Sequence, residues 1–364
     1  MKSTILHCGT AFICSALLSC SAASAAVTFT VQFEAGSKWF TESWSAAART
    51  EMMAFFADLG QHFNSTAQVT VEINDNETSA YASASALWSA PTGVEGRTGQ
   101  FYAPSVWWII VKGVDQNGSD ADVRINWNLD VDGLYSGSSA QMINNYRGLG
   151  RHEMQHPFGS ISRLSHSASY DPRGMSLSAN LIDSLYRDAN DAPLMGAFNA
   201  ASGRFTVNDY ALSANWDTES NQSGCYFEAR NIRGEIVKMP PISYGGRIDF
   251  SHVTGIAYVS DHPSWRNIEN TDRNFWRALG YPLAADAALA ARAPVAKFRL
   301  NGGNAELTAA TRSTHFYRVS KSRDMINWFV QPKGLRGADG TTLLTLAADP
   351  TKDPMQFFQI VEIP

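Results

Sequence analysis

Residues 27–33 (VTFTVQF) alternate apolar and polar side chains and are rich in β-branched and aromatic types, a pattern that predicts a strand. Residues 45–63 then carry Ala, Met, Phe and Leu at helical spacing, with Thr41 and Ser43 available as caps. A second strand is predicted at 68–73 (QVTVEI), closed by the turn-forming Asn74, Asp75 and Asn76. The continuous apolar run 106–111 (VWWIIV) reads as a buried strand, and 122–129 (DVRINWNL) alternates again. A Gly/Ser loop at 133–139 precedes a helix running to about His156, capped by Ser138 or Ser139. Met142, Tyr146, Leu149 and Glu153 fall three and four residues apart and so share one face of it. Gly148 and Gly150 cost this helix about 1 kcal/mol each, while letting it pack closely on a sheet.

Residues 157–281 show little periodicity apart from helical stretches at 178–187 and 272–279, which predicts a cleft built largely by loops. At 284–293 the composition becomes nearly all Ala, Leu, Asp and Arg, ending before Pro294. Beyond it, short strands at 297–300, 305–307, 316–319, 328–330, 341–346 and 357–361 are separated by Gly, Asn, Asp and Pro turns. The expected fold class is α+β: a first domain at 26–283, an Ala-rich linker at 284–296, and a small antiparallel β-sandwich at 297–364. No internal repeat is evident.

With 17% charged and 44% hydrophobic residues, the 364-residue chain has ordinary globular composition. Its net charge of −5 and pI of about 5.9 give no basic footprint, so nucleic acid is not an expected partner. Lys2, the apolar stretch 5–18 and the small residues Ala23, Ser24 and Ala25 read as a secretory signal peptide over residues 1–25. That stretch is too short to span a bilayer comfortably, so no transmembrane span is expected. The mature protein is therefore expected outside the cytoplasm. Leu17-Leu18-Ser19-Cys20 resembles a bacterial lipobox, which makes a lipid anchor at Cys20 the alternative to release. Past the leader only Cys225 remains, which excludes an internal disulfide and a thiolate-ligated structural metal, and predicts a buried small hydrophobe.

The chemistry concentrates in His152-Glu153-Met154-Gln155-His156, an H-E-x-x-H match. Helical positions i and i+4 lie one turn apart, so both imidazoles reach one metal ion, and Glu153 projects beside them as a candidate general base. A hydrolytic zinc site needs a third protein ligand and an open position. His62 and His315 are poorly placed for that role. His166, His252 and His262 remain as candidates.

Gly159 extends the string to HEMQHPFG, which resembles the metzincin opening H-E-x-x-H-x-x-G. In that family the glycine stops the helix and lets the chain turn back towards the metal. The usual third ligand would fall at Ser162, and serine is no credible zinc ligand. Leishmanolysin-like members carry a long insertion and take the third histidine from far downstream, often after Ser or Ala. Phe250-Ser251-His252-Val253 has that form, and residues 272–281, running from Asp272 to Ala278-Leu279-Gly280-Tyr281, are similar to the end of secreted bacterial metzincin-like domains. Residues 181–187 occupy the place of a similar short stretch. Two departures stand out. Ala257 occupies the slot of the family's methionine, whose thioether makes no metal bond, and Pro157 lacks the N–H that would continue the helix.

The resemblance implies one Zn2+ per chain on His152, His156 and His252, with His166 and His262 as alternative third ligands. It implies a secreted endopeptidase in which Glu153 takes a proton from metal-activated water, acting on a protein or peptide substrate. The competing function is an inactive, metzincin-like protein that binds a surface or glycan. Tyr258 is a candidate hydroxyl near the metal or a packed tyrosine. Asp-rich segments at 115–122 and 130–133 read as polar turns lacking EF-hand spacing. Trp39, Trp44, Trp107, Trp108 and Trp265 are mostly expected in the core. The C-terminal module offers no nucleophile or metal cluster and reads as an accessory domain for glycan or surface binding.

Overall fold

The computed structural model describes residues 26–76, 81–94, 98–130, 139–212, 223–244, 247–253, 268–286, 296–301, 304–313, 315–322, 329–330, 335–347 and 357–363. The leader with Cys20, His262, Ala257, Tyr258, Trp265 and most of the Ala-rich stretch lie outside these residues. The described chain is mixed α+β, with several small sheets rather than one large one.

The first strand, β1 (Thr28–Phe33), is followed by a short helix α1 (Lys38–Thr41) and the long α2 (Ser45–Gln61), then returns as β2 (Gln68–Asp75) parallel to β1. The antiparallel strand β3 (Ala82–Ala86) precedes a two-stranded ladder of β4 (Ser89–Thr92) and β5 (Phe101–Pro104). After α3 (Ser105–Trp107), β6 (Val123–Trp127) enters between β2 and β3, parallel to the former and antiparallel to the latter. The resulting order is β1-β2-β6-β3, with β3 at the edge. Alternation in β2 and β6 is strict on one face: Val69, Val71, Ile73, Val123, Ile125 and Trp127 are all fully buried. Trp39 and Trp107 are buried with them.

The apolar run at 106–111 is helical, contrary to the strand expected of it. It forms the end of α3 and a wide π-type turn over Trp108–Lys112. A short apolar run suits a buried helix and a buried strand alike. Here Trp107 Nε1 donates to the Leu279 carbonyl and Trp108 Nε1 to that of Ala90, which fixes the coiled form.

The motif helix α4 (Ser139–Gln155) lies against α2. At Gly150 the close approach is to that helix, where a Cβ would sit 3.4 Å from the Phe55 ring, while α4 also packs against β3. Tyr146, Leu149 and Met154 are buried with Met52 and Phe55, and Glu153 is buried as well.

Residues past α4 are more ordered in β structure than their sequence suggests. Strands β7 (His166–Ser167), β8 (Ser176–Leu177), β9 (Tyr186–Arg187), β10 (Met195–Asn199) and β11 (Arg204–Val207) come first. They are followed by β12 (Tyr226–Arg230), β13 (Ile236–Met239), β14 (Pro241–Tyr244) and β15 (Arg247–Val253). Together they make three three-stranded sheets: β10-β11-β8, β13-β12-β9 and β14-β15-β7. The helix expected at 178–187 shrinks to a 3-10 turn over Leu181–Leu185, closed by Asn180 and Asp183 as a capping box. Helix α5 (Asn270–Ala278) matches the expected 272–279.

The C-terminal strands form two antiparallel sheets. One contains β16 (Ala296–Asn301), β17 (Asn304–Thr311) and β21 (Gly340–Ala347); the other contains β18 (Phe316–Ser322), β19 (Phe329–Val330), β20 (Leu335–Arg336) and β22 (Phe357–Ile363). Leu307 and Ala309 from one sheet meet Tyr317, Val319 and Ile360 from the other in a core of their own. Arg318 reaches out of this unit, donating to the Ile232 carbonyl at 2.9 Å and pairing with Asp286 at 3.2 Å. Among the described residues, no helix is long and apolar enough to cross a membrane.

Candidate metal centre

Helix α4 ends in a π-type turn over His156–Ser160. Pro157 has no N–H to continue the α-helical ladder, and the wider turn absorbs that loss. Gly159 then adopts φ +111°, a conformation that side-chain-bearing residues rarely take, and the chain leaves the helix there. His156 thus stays one turn from His152 while the backbone swings away.

From the other side β15 brings in His252. His152, His156 and His252 each offer a ring nitrogen, and these atoms all lie within 4.8 Å of one another. The ring centroids are 5.5 Å apart for His152 and His156, 5.1 Å for His152 and His252, and 4.9 Å for His156 and His252. Of the other candidates, His166 is buried in β7, opposite Ile248, with Nδ1 3.3 Å from the Tyr210 hydroxyl and 3.5 Å from Asp171. It belongs to a separate polar cluster and not to this group. His62 sits at the end of α2 beside Trp276, and His315 precedes β18.

The carboxylate partner of one imidazole selects its tautomer, and the hydroxyl partner of another is compatible with the same form. His252 Nδ1 is 2.9 Å from Asp249 Oδ2, and His156 Nδ1 is 3.0 Å from Ser160 Oγ. An Nδ1–H donated to these oxygens leaves Nε2 with a lone pair for a metal. Burial works to raise the Asp249 carboxyl, but the His252 hydrogen bond and charge, the Ser251 N–H and Arg247 hold it below the usual carboxylate range. Burial, then the neighbouring His252 and His152, push His156 down to about 3, against the pull of Asp249. His156 is therefore neutral across the physiological range, as a metal ligand must be.

Glu153 lies beside the three rings, with Oε1 3.9 Å from His152 Nε2. Burial pushes its carboxyl up to about 7, opposed by His252 and by the Ala84 N–H, which donates to it. That hydrogen bond defines the relation of site to sheet. Ala84 belongs to the edge strand β3, opposite Ile125. Since its N–H points to Glu153, the edge of β3 turned away from β6 faces the site.

Several residues that position the site carry no motif. Ser162, in the slot where a third ligand was sought, is a tie instead: its N–H donates to Ser251 Oγ at 2.9 Å and its hydroxyl to buried Asp183 at 2.5 Å. The Tyr186 hydroxyl donates to the Phe250 carbonyl and anchors β15 from below. Behind α4, Arg151 forms a buried fork with Asp272, with contacts of 2.7 to 3.1 Å. Gln155 donates to Asp272 at 2.8 Å and accepts from Trp276 at 3.1 Å. The Tyr281 hydroxyl reaches the Phe158 carbonyl at 3.0 Å. Segment 272–281 thus locks the back of the motif helix. Its spacing from the motif gave no hint of that pairing.

Cys225 is buried and its thiol is pushed up to about 12, which removes it as a reactive group. The 115–122 segment is a polar turn in which Asp115 accepts the N–H groups of Asn117 and Gly118.

The donor set fits a borderline divalent ion. Three imidazoles without a thiolate, two of them with oxygen partners on Nδ1, suit zinc better than the hard cations that demand oxygen ligands. Searches against family models, curated proteins and solved structures find no match to this chain.

Proposed function

We propose that this protein is an extracytoplasmic zinc-dependent peptidase with a metzincin-like catalytic domain. The observation that carries the reading is the convergence of three imidazoles with a buried carboxyl at their side, His152, His156 and His252 with Glu153. The mixed sheet with an antiparallel edge strand and the glycine-stopped helix also support it.

His152, His156 and His252 would hold the ion. When bound, it supplies Lewis acidity, polarising a carbonyl oxygen and making water more acidic. Asp249 would keep His252 in the Nδ1–H form, and the Ser160 hydroxyl can accept the same proton from His156. Glu153 accepts a proton from the water that adds to the scissile carbonyl and returns it to the leaving amine, so the C–N bond breaks with no net change at the carboxyl. A carboxyl raised towards neutrality is suited to both transfers. Burial beside the edge strand keeps Glu153 from wandering.

Ala84 already donates its N–H to Glu153, and the other outward-facing groups of β3 would offer a peptide one more strand to pair with. In the β3–β6 ladder, Tyr81 and Leu87 bond across to Asn128 and Asp122, so the intervening even-numbered positions point away from β6. An extended substrate laid along them would bring its backbone past Glu153. The test is Glu153→Ala in the mature chain. It should retain about one zinc per molecule and lose cleavage of unfolded protein substrates such as casein. Cleavage at the wild-type rate would remove Glu153 from the mechanism, and a folded wild-type protein that takes up no zinc would remove the peptidase.

A further inference from the structure

A pocket of about 210 Å³ opens directly beside His156, between the end of the β3 edge and the chain that leaves Gly159. Ala86 and Trp88 line it on the strand side, Tyr102 on the β5 side, and Arg163 and Asn180 on the far wall. Among its lining residues Arg163 is the one fixed charge, and no acidic side chain is present. Arg163 is exposed, and among the described residues its side chain has no hydrogen bond or ion pair, although buried Asp183 feels its charge.

The wall that carries Arg163 is built rather than loose. Asp183 accepts the Arg163 N–H at 3.2 and 3.3 Å, the Ser162 hydroxyl at 2.5 Å and the Asn180 N–H at 2.8 Å. Asn180 Nδ2 in turn donates to the Ile161 carbonyl at 2.9 Å, and the Tyr102 N–H to the Ala179 carbonyl at 2.8 Å. The backbone under Arg163 is therefore fixed before any ligand arrives, which lowers the cost of binding. The carboxylate of Asp183 is spent on these bonds, and Arg163 stands exposed in the lining of the pocket as its one fixed charge.

We propose that this pocket is a specificity subsite for an acidic residue, Asp or Glu, adjoining the scissile bond, with Arg163 pairing its carboxylate. The proposal rests on the peptidase reading and names its substrate class. A peptide strand on the β3 edge that passes Glu153 projects alternate side chains to one side, and the pocket lies next along that edge at Ala86 and Trp88. Trp88 and Tyr102 cover the aliphatic stem of such a residue, while the arginine fork matches its carboxylate in two hydrogen bonds.

The experiment uses the zinc-loaded mature protein and a set of quenched fluorescent peptides varied at the residues on either side of the cut. Wild-type protein should cleave peptides with Glu or Asp at one flanking position at least about tenfold better, in kcat/KM, than the same peptides with Lys. Arg163→Gln should flatten that ratio and Arg163→Glu should invert it, with zinc content and melting temperature unchanged because the side chain is exposed. Cleavage without charge preference, or a preference that Arg163→Glu leaves intact, overturns the subsite and leaves the peptidase standing. If zinc-loaded wild type cleaves none of the peptides and no protein substrate, the peptidase reading falls and the subsite with it.

Discussion

The N–H of Ser162 donates to Ser251 Oγ at 2.9 Å, and this single bond joins the chain just past the motif helix to the residue before His252. Two of the candidate ligands come from one helix, but the third depends on how β15 is held against it. Ser251 also has its own N–H on Asp249 at 3.0 Å, so the tie, the imidazole and its carboxylate partner move as one piece.

Ser251→Ala removes the acceptor and leaves the part-buried N–H of Ser162 unpaired, at a cost of about 1–2 kcal/mol. The larger effect should be on the metal. Looser placement of His252 is expected to weaken zinc binding roughly tenfold. Competition with a chromophoric chelator measures it, and wild-type affinity in the variant would show that the tie does not position the ligand.

Asp249→Ala acts one bond nearer the metal. It frees His252 to adopt the other tautomer and removes the charge that favours ligation, so zinc affinity should fall by about 10- to 100-fold. Asp249→Asn keeps the shape and an oxygen acceptor and should lose less. If both variants bind zinc like wild type, the Asp249–His252 contact is merely structural.

Acid should unfold the metal-free protein early. His156 is held at about 3 in the folded chain, chiefly by burial and then by the charges of His252 and His152; an unfolded histidine titrates near 6.5. The folded value is the lower one, so between the two the unfolded chain binds more protons. The stability linked to His156 is complete above about pH 6.5 and drains away as pH falls towards about 3. Zinc binds only neutral imidazoles and so opposes this loss. Melting curves with and without chelator should converge in acid and diverge near neutrality. A metal-free melting temperature that does not fall between about pH 6.5 and about pH 4 contradicts the assignment.

How much of this was legible in the sequence depends on the range of each signal. The motif helix and its glycine stop are local, and helical periodicity with a single φ-demanding residue suffices to read them. His252 came into view through the Ser-His pair in a resemblance, not through any pattern in the residues themselves. The folded strand shows what that pair does: Ser251 is the tether and His252 the candidate ligand. The 106–111 run was misread because its apolar residues are continuous, and only the tryptophan N–H partners decide between helix and strand. The small sheets between Pro157 and Val253 escaped for a related reason. Apart from the seven-residue β15, these strands run two to five residues, as in Met195–Asn199, too short to display alternation, and their pairings are made by loops. Ser160, Asp183 and Asp272 are common polar residues whose roles exist only once distant segments meet.

The last of these pairings bears on whether the helix can hold its two ligands at all. Arg151 and Asp272 are 4% and 0% exposed, and their fork joins α4 to α5 directly behind His152 and Gln155. Removing one partner of a buried pair leaves an uncompensated charge, so Asp272→Ala should cost about 3–5 kcal/mol. Removing both charges together avoids that penalty. Arg151→Met combined with Asp272→Leu should therefore be markedly more stable than Asp272→Ala alone, in chemical denaturation of the metal-free protein. Gln155 would still lose its acceptor, so recovery should stop short of wild type. The double variant also separates two functions of the pair. If it folds but binds zinc weakly, the fork sets the register of α4 against β15; if it folds and binds zinc normally, packing around Trp276 and Tyr281 is enough to hold the helix, and the pair serves only to satisfy charge.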